Sequence, residues 1–483
     1  MNGTEVHVTD RAVVNDINIT GLTCDSRQVE PGFLFAALPG TRTDGRAYIN
    51  DALERGAVAV LAPAGTTFSV SPRPVALLTD ANPRRQFALM AANFFEVQPD
   101  VVAAVTGTNG KTSVVTFLRQ IWSRLGRKAA SAGTLGVSAP GFENRISLTT
   151  PDSADLHRNL RDLKRFGIER LALEASSHGL QQHRLDGVRV ALAAFTNLTR
   201  DHLDYHRDMD AYLAAKLRLF TDIVAADGTA VVNADSDFAD AVVVACNKRR
   251  LKVMRYGRAG DAVRLMECKP LAAGQRITVA LDGEPASVTL PLVGEFQVSN
   301  ALCALALAVA SDEDAKSALG CLETLTGAPG RVQLAGRHQN GAAVFVDYAH
   351  TPDALTNVLG ALRPHAKGRL HVVFGCGGDR DPGKRPQMGD IARRLADVVI
   401  VTDDNPRGED AAVIRRQILA ACPDARDIGD RAEAIREAIK GLAAGDLLVV
   451  AGKGHERGQI VGNETHPFDD GRAVKDALRE IGA

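Results

Sequence analysis

The sequence predicts an α/β protein of three domains, with a central parallel sheet between an N-terminal and a C-terminal α/β domain. Two observations support this prediction. Apolar runs of strand length alternate with segments of helical periodicity, which is typical of parallel sheets built from βαβ units. The chain also has 483 residues, enough for about three domains of ~150 residues each.

The first strand of the central sheet is predicted at residues 101–105, an apolar run of the length of a buried strand. A glycine-rich loop follows, and apolar side chains then recur at helical spacing between Val114 and Leu125, which predicts an amphipathic helix. Residues 171–173 and 193–195 are expected to be further strands of the same sheet. Three more β-rich runs, each leading into a polar loop, lie at residues 370–374, 398–401 and 447–450.

Two breaks in these patterns predict the domain boundaries. Gln98-Pro99-Asp100 lies where a predicted helix ends ahead of the first central strand. A Gly/Pro-rich stretch at residues 327–331 is suited to a hinge. The predicted domains are therefore residues 1–97, 98–331 and 332–483.

Composition excludes several classes of protein. Lys and Arg number 57 against 58 Asp and Glu, so there is no overall field to attract nucleic acid or an anionic membrane. The first 20 residues lack the apolar core of a signal peptide, and the longest apolar stretch, residues 301–310, is too short to span a bilayer. Seven scattered cysteines form no C-x-x-C pair, which favours a reducing compartment. We expect a cytoplasmic protein without nucleic-acid partners or membrane insertion.

Residues 106–112, Thr-Gly-Thr-Asn-Gly-Lys-Thr, predict a phosphate site between the first central strand and its helix. Backbone N–H groups of such a loop, with a helix N-terminus behind them, form a cradle for phosphate oxygens. Lys111 would reach the β- and γ-phosphates of ATP, and the Thr112 hydroxyl would ligate Mg²⁺. Val105 replaces the first glycine of the full motif, so the alternative is a glycine-rich turn that merely contains a lysine. The residues expected to contact ATP are Gly107, Thr108, Asn109, Gly110, Lys111, Thr112 and Ser113.

The same loop resembles the variant phosphate loop of the Mur ligases and of the related folylpolyglutamate synthetases. Further matching strings run along nearly the whole chain, at residues 174–180, 196–206, 347–352, 377–381, 404–407 and 452–456. As an ordered set they resemble the Mur ligases, and within them the branch that adds diaminopimelate to a UDP-N-acetylmuramoyl-dipeptide. The resemblance implies an ATP-dependent amide ligase of cell-wall precursor synthesis, with a phosphate-loop sheet flanked by a UDP-binding N-terminal domain and a Rossmann-like C-terminal domain. It also implies a monomer acting on small molecules.

The resemblance implies a Mg²⁺ site in the central domain. Glu174 ends a predicted strand, where α/β folds place ligands, and a carboxylate suits Mg²⁺. Taken alone, Glu174 could be a solvated strand-end residue and His202 a hydrogen-bonded loop histidine; the family match makes both Mg²⁺-site residues. Lys216 is an ordinary helical lysine by sequence, but it matches the carbamylated lysine of the family, which would be a further metal ligand. With Lys111 these are the expected catalytic residues.

The family match also implies a site for the UDP-linked substrate. Ser26 and residues 41–43 would hold the uridine and its diphosphate, with an ordinary surface loop as the alternative. Arg184 can hold a carboxylate or phosphate through two hydrogen bonds. The expected contacts are Ser26, Thr41, Arg42, Thr43, Thr149, Thr150, Ser176, Gln182 and Arg184.

The loops after the three C-terminal runs are expected to converge at one sheet edge and to bind the incoming amino acid. Diaminopimelate carries carboxylates and ammonium groups, so its recognition needs cations and anions together. Arg380 and Arg407 would supply the cations and Glu456 the anion, and lysine-adding relatives depart from the family string at the position of Arg407. The expected contacts are Arg380, Asp404, Asn405, Pro406, Arg407, Gly452 and Glu456.

Asn300 and Arg331 resemble further ATP contacts, with hinge structure as the alternative, while Gln297 replaces an asparagine common in relatives.

No nucleophile motif is present, so the acceptor carboxylate would attack the γ-phosphate of ATP and the amine would then attack the acyl phosphate. Two rivals remain. A folylpolyglutamate synthetase would lack the UDP-binding domain, and a catalytically silent nucleotide-binding protein is disfavoured by the intact catalytic set.

Overall fold

The computed structural model describes residues 17–40, 43–68, 75–144, 149–202, 205–271 and 274–482. The chain divides into two compact units. The first comprises Met1–Lys111, Gly126–Val232 and Ser236–Val253, and the second comprises Thr112–Leu125, Asn233–Asp235 and Met254–Ala483.

The first unit begins with a four-stranded parallel sheet in chain order: β1 (Gly21–Thr23), β2 (Phe33–Ala36), β3 (Ala59–Pro63) and β4 (Ala76–Asp80). Its helices are α1 (Ile49–Glu54) and α2 (Pro83–Phe95), with short 3₁₀ turns at Ser26–Gln28 and Gly45–Tyr48. Helix α2 begins where Pro83 occupies the first turn and the Asn82 side chain accepts a hydrogen bond from Arg85 N over 3.1 Å. It ends at Phe95, before Gln98, as the sequence predicts.

The rest of the first unit is built on seven strands in the order β11-β10-β5-β9-β6-β7-β8. The strands are β5 (Val101–Thr106), β6 (Ala129–Gly133), β7 (Gly136–Ala139), β8 (Phe142–Asn144), β9 (Arg170–Glu174), β10 (Val190–Phe195) and β11 (Val224–Asn233). Helix α3 (Lys111–Arg124) begins at the last residue of this segment of the first unit, and its other residues belong to the second unit. The further helices of the first unit are α4 (Ser153–Arg165), α5 (Ser177–Gln181), α6 (Met209–Arg218) with a π turn at Leu219–Ile223, and α7 (Ala239–Lys248). β6, β9, β5, β10 and β11 are parallel, so the strands predicted in this region are confirmed.

Helix α3 is the amphipathic helix predicted after the loop. Its residues from Thr112 to Leu118 are all buried, and only Lys111 and Arg119 among the first nine are partly exposed, so its buried face is wider than the apolar spacing indicates. Short polar residues such as Ser113 and Thr116 can be buried because a helix lets their hydroxyls bond locally. The apolar spacing therefore identified the helix but not the extent of its burial.

The second unit contains an antiparallel set of strands, β13 (Val263–Leu271), β14 (Gly274–Leu281) and β15 (Glu284–Leu290), with Tyr256 and Gly257 of β12 (Lys252–Gly257) paired parallel to β13. Helices α8 (Glu295–Ala310) and α9 (Ala315–Cys321) and a 3₁₀ turn at Leu322–Thr324 follow. No helix in the described ranges is both long and apolar enough to cross a membrane.

The C-terminal part of the second unit is a six-stranded sheet in the order β16-β17-β21-β18-β19-β20. The strands are β16 (Gln333–Arg337), β17 (Ala343–Asp347), β18 (Leu370–Phe374), β19 (Val398–Val401), β20 (Arg426–Asp427) and β21 (Leu447–Ala451), with a separate hairpin of β22 (Gly458–Val461) and β23 (Glu464–Pro467). The helices are α10 (Pro352–Leu362), α11 (Lys384–Leu395), α12 (Ala411–Leu419), α13 (Arg431–Lys440) and α14 (Asp470–Gly482), with a 3₁₀ turn at Arg363–His365. The three strands predicted here are confirmed, and buried apolar side chains cover both faces of the sheet.

Candidate active site

The carboxyl ends of three neighbouring strands lead to three of the four predicted catalytic residues. β5 leads into the phosphate loop at Gly107, β9 ends at Glu174, and β10 leads into the loop that contains His202. Because these strands are parallel and adjacent, their carboxyl ends lie at one edge of the sheet. The fold therefore brings together the segments in which the sequence places the chemistry.

The loop after β10 braces the phosphate loop. Thr196 Oγ1 donates a hydrogen bond to Asn109 O over 2.6 Å, and Asn109 N donates to Asn197 Oδ1 over 2.9 Å. Gly107 has a φ of +149°, and a Cβ added there would lie 1.9 Å from Thr196 Oγ1. Only glycine allows the two loops to approach this closely, so the shape of the cradle depends on Gly107.

Two lysine side chains meet at one carbonyl of the phosphate loop. Lys111 Nζ donates to Gly107 O over 2.8 Å and to Thr108 O over 2.9 Å, and Lys216 Nζ donates to Gly107 O over 2.9 Å. The Lys216 residue is 1% exposed. Burial and the Lys111 charge lower the pKa of its ammonium group well below the usual value, although Asp201 opposes them. The lowered pKa favours the neutral amine of Lys216 beside the charged Lys111.

Tyr212 connects Lys216 to the phosphate loop. It lies one turn before Lys216 on α6, and its ring centroid is 4.3 Å from Lys216 Nζ. Its hydroxyl is hydrogen-bonded to Thr108 Oγ1 over 3.2 Å. Burial raises the pKa of Tyr212 to about 12, so the phenol stays protonated at neutral pH. One helix therefore positions both the lysine and a hydroxyl of the loop.

Glu174 is a buried carboxylate at the end of β9, with 1% of the residue exposed. Thr134 donates to both of its oxygens, from the backbone N to Oε1 over 2.9 Å and from Oγ1 to Oε2 over 3.1 Å. A Cβ added at Gly133 would lie 2.2 Å from Oε1, so glycine makes room for the carboxylate. Thr149 Oγ1 lies 3.1 Å from Thr134 Oγ1. Glu174 is not the solvated strand-end residue of the alternative interpretation.

Residues predicted to hold the UDP-linked substrate form a network with Glu174. Thr150 Oγ1 donates to Glu174 O over 3.1 Å, and Ser176 Oγ donates to Thr150 Oγ1 over 3.0 Å. Arg184 donates to Thr150 O over 2.6 Å and to Gln182 Oε1 over 2.7 Å. Burial lowers the pKa of Arg184, which nevertheless stays charged because guanidinium is such a weak acid. The structure thus groups five of the nine predicted substrate contacts.

His202 lies in the loop after β10 with a φ of +53°. Its side chain is 45% exposed, and Nε2 is 3.5 Å from Asp201 Oδ2. The ring centroid is 5.1 Å from that of His178 and 6.1 Å from that of Tyr212. His202 is therefore accessible to solvent and lies close to Tyr212, whose ring contacts Lys216.

Two of the predicted uridine contacts are described in the N-terminal sheet region. Ser26 is buried, and its hydrogen bond is the main cause of the lowered pKa of Asp51. Thr43 is exposed, and its carbonyl accepts a hydrogen bond from Gly40 N over 3.0 Å. Thr41 and Arg42 lie outside the described residues.

In the second unit, loops from four adjacent parallel strands share one edge of the C-terminal sheet. The strands β17, β21, β18 and β19 follow one another in that order. The loops after them contain Tyr348, residues 452–456, residues 375–381 and residues 402–407. The expected convergence of these loops at one sheet edge is confirmed.

Three side chains of these loops form a closed triangle of hydrogen bonds. Asn405 Nδ2 donates to Glu456 Oε2 over 3.0 Å, and Lys453 Nζ donates to Asn405 Oδ1 over 2.8 Å and to Glu456 Oε2 over 3.1 Å. Gly452 has a φ of +115°, and a Cβ there would lie 2.8 Å from Asp404 Oδ2. The two loops therefore fit together only with glycine at this position.

The two predicted cations differ in their surroundings. Arg407 has a φ of +52°, and its guanidinium donates to Gly378 O over 2.9 Å. A Cβ at Gly378 would lie 1.9 Å from Pro406 O, so this close approach also needs glycine. Arg380 is exposed at the loop surface. The hydrogen bond to Gly378 thus orients Arg407, while Arg380 is accessible to solvent.

Gln297 links the two predicted ATP contacts of the second unit. Asn300 Nδ2 donates to Gln297 Oε1 over 3.2 Å, and Gln297 Nε2 donates to Arg331 O over 3.0 Å. The Arg331 guanidinium lies 4.9 Å from the centroid of the Tyr348 ring. Gln297 therefore accepts a hydrogen bond from Asn300 and donates one to the backbone of Arg331.

Three segments of the chain match domains of one protein family. Residues 18–93 match the Mur ligase family catalytic domain, residues 105–308 the Mur ligase middle domain, and residues 330–454 the Mur ligase glutamate ligase domain. The chain belongs to the Mur ligase family. Each matched segment carries one of the sheets described above, which confirms the predicted α/β architecture of this Mur ligase.

Two relatives named UDP-N-acetylmuramoyl-L-alanyl-D-glutamate–2,6-diaminopimelate ligase resemble this Mur ligase over almost its whole length. The relative from Mesorhizobium japonicum is 52% identical over 468 residues, 97% of this chain and 96% of its own. The relative from Caulobacter vibrioides is 52% identical over 484 residues, 98% of each chain. A solved structure of a ligase of the same name is 34% identical, with a TM-score of 0.73 and coverage of 96% of both chains.

Sequence reasoning missed several residues of this Mur ligase that support the site. Thr134 donates hydrogen bonds to the Glu174 carboxylate, and the Tyr212 ring contacts Lys216. Lys453 donates hydrogen bonds to both Asn405 and Glu456. The spacing of Tyr212 and Lys216, four residues apart on one predicted helix, could have indicated their contact. Thr134 lies in a turn with no motif, so no sequence signal pointed to it.

Proposed function

We propose that this Mur ligase adds meso-diaminopimelate to UDP-N-acetylmuramoyl-L-alanyl-D-glutamate at the expense of ATP, in the synthesis of the peptidoglycan precursor. The observation that carries the proposal is the similarity, over nearly the whole chain, to two ligases named for that reaction. The rival folylpolyglutamate synthetase would lack the N-terminal domain that this chain has. We propose that the enzyme works as a cytoplasmic monomer, with domains at residues 1–97, 98–331 and 332–483.

The phosphate loop would bind ATP and activate the acceptor carboxylate. Lys111 would exchange its hydrogen bonds to loop carbonyls for contacts to the β- and γ-phosphates. The acceptor carboxylate attacks the γ-phosphorus, ADP leaves, and an acyl phosphate results. The amine of the incoming amino acid then attacks the acyl carbon and inorganic phosphate leaves. Catalysis rests on alignment and charge neutralisation, without a covalent enzyme intermediate.

The donor set near the phosphate loop fits Mg²⁺ if Lys216 is carbamylated. The described residues contain no group of three His, Cys, Asp or Glu placed to hold a metal, so Thr112, Glu174 and His202 need a further oxygen donor. An ammonium would repel a cation, but the lowered pKa of Lys216 favours the neutral amine, which would add to CO₂ and release a proton to give an anionic carbamate. Mg²⁺ bound there would neutralise phosphate charge.

The C-terminal loops would hold diaminopimelate through paired charges. Glu456 would accept an ammonium group of the amino acid, and Arg380 with Arg407 would hold a carboxylate. Asn405, Asp404, Pro406 and Gly452 would shape the pocket around them.

The test is to offer UDP-muramoyl-dipeptide, ATP and a panel of amino acids, and to weigh the UDP-linked product. We expect a product heavier by one diaminopimelate residue, formed with one phosphate released per ligation. A product that contains another amino acid would contradict the proposed substrate, and release of no phosphate would support the catalytically silent alternative.

A further inference from the structure

Lys453 is a buried cation to which the proposed binding site assigns no role. Its side chain is 0% exposed, although lysine is rarely buried so completely unless its charge is paired. Its partners are Asn405 Oδ1 at 2.8 Å and Glu456 Oε2 at 3.1 Å. Both partners are proposed contacts of the incoming amino acid.

The hydrogen bonds of Lys453 fix the orientation of the Asn405 amide. Asn405 Oδ1 accepts from Lys453 Nζ and also from Ile460 N over 3.0 Å, so the amide oxygen faces two donors. The amide nitrogen must then face Glu456 Oε2, to which it donates over 3.0 Å. If Lys453 were neutral and apolar, one of the two donors to the oxygen would be lost, and the amide could turn.

The same ammonium restrains the Glu456 carboxylate. Oε2 accepts from both Lys453 and Asn405, which anchors that oxygen between two donors. The Glu456 side chain is still 34% exposed, so a ligand can reach it. A charge-assisted hydrogen bond of this kind holds its acceptor more firmly than a neutral one does.

We propose that Lys453 is a positioning residue for the incoming amino acid, because it holds Asn405 and Glu456 in the geometry that receives an ammonium group of the substrate. The inference rests on the proposed function in assigning that substrate to these loops. Lys453 acts through its two partners and does not take part in phosphoryl transfer. Its loss should therefore weaken the use of the amino acid and spare the other two substrates.

The experiment compares Lys453→Met with Lys440→Met in the full-length enzyme. Lys440 makes an exposed ion pair with Glu437 on α13 and serves as the matched control. We expect Lys453→Met to raise the KM for diaminopimelate about tenfold to a hundredfold, as for a lost hydrogen bond to a charged group, with the KM for ATP and for UDP-muramoyl-dipeptide changed less than about twofold. Lys453→Arg, which keeps the cation, should recover part of the loss.

A double variant separates positioning from a general structural role. If Lys453 acts through Glu456, Lys453→Met should add little to the KM defect of Glu456→Gln, whereas independent effects would multiply. An unchanged KM for diaminopimelate in Lys453→Met, or an equal rise in all three KM values, would overturn the inference. If wild type ligates a different amino acid, the proposed function alone fails, and the same comparison is made with the KM for that amino acid.

Discussion

The phosphate loop and the C-terminal loops handle buried charge in opposite ways. At the phosphate loop, Lys111 and Lys216 donate to the same carbonyl, and burial and mutual repulsion lower the pKa of Lys216. In the C-terminal loops and the helices behind them, buried cations have carboxylate partners. The pairs are Lys453 with Glu456, Arg385 with Glu409, and Arg431 with Asp470.

The difference indicates how each region meets its substrate. Under the proposed function, an arriving phosphate would pair with Lys111, so the phosphate loop would gain its balance of charge from the nucleotide. In the C-terminal loops, Lys453 and Glu456 are already paired, so under the proposed function they would form part of an assembled surface that receives a zwitterion. Changes at the first region should therefore act on turnover, and changes at the second on selection and stability.

The largest expected effect concerns selection of the amino acid. Wild type should prefer meso-diaminopimelate to lysine by ~10⁴-fold in kcat/KM, because lysine leaves the cations Arg380 and Arg407 without their carboxylate. Arg407→Ala should depress the use of diaminopimelate sharply but should not by itself create good lysine activity, since it leaves Arg380 in place. The measurement is kcat/KM for both amino acids with both proteins. Comparable wild-type values would remove the assignment of these arginines while leaving the ligase assignment in place.

The next largest effect is expected at the phosphate loop. Lys111→Ala should lower kcat by ~10³-fold or more, because the γ-phosphate loses its main protein cation in the transition state. Lys316→Ala, at an exposed lysine outside the site, should leave turnover unchanged and is the control. Near-normal turnover in folded Lys111→Ala would contradict the phosphate-loop assignment.

The paired charges of the C-terminal region predict an effect on stability. Arg431 and Asp470 are both 0% exposed and form an ion pair at 2.7 Å. Asp470→Asn should lower the free energy of unfolding by about 3 kcal/mol, since it leaves a buried guanidinium without an anion. Asp476→Asn, on the same helix but 51% exposed, should cost less than about 1 kcal/mol. Denaturant unfolding of the two variants provides the comparison, and equal losses would mean that burial of the pair does not matter.

The sequence predicted the sheets well because their strands are continuous apolar runs. Residues 370–374 and 398–401 begin and end where β18 and β19 do, and residues that follow strands proved to share a sheet edge. Residues brought together from distant parts of the chain could not be predicted in this way. Lys216 reaches Gly107 across 109 positions, and the buried Lys453 reaches Asn405 across 48 positions. Such contacts arise from tertiary packing, which local periodicity does not encode.

The last prediction concerns carbamylation of Lys216, which would change the charge at the phosphate loop. Only the neutral amine of Lys216 can form a carbamate, and below its pKa the neutral fraction rises about tenfold per pH unit. Because burial and Lys111 lower that pKa beneath the usual 10.5, the carbamate should form at a lower pH than on an exposed lysine such as Lys316. Enzyme stripped of CO₂ should regain activity at a fixed CO₂ pressure, with a rate that rises with pH and levels off once the lowered pKa is passed. Native mass spectrometry should find one added CO₂ in wild type and none in Lys216→Met. Full activity of the stripped enzyme, with no added mass, would show that Lys216 works as an amine and not as a carbamate.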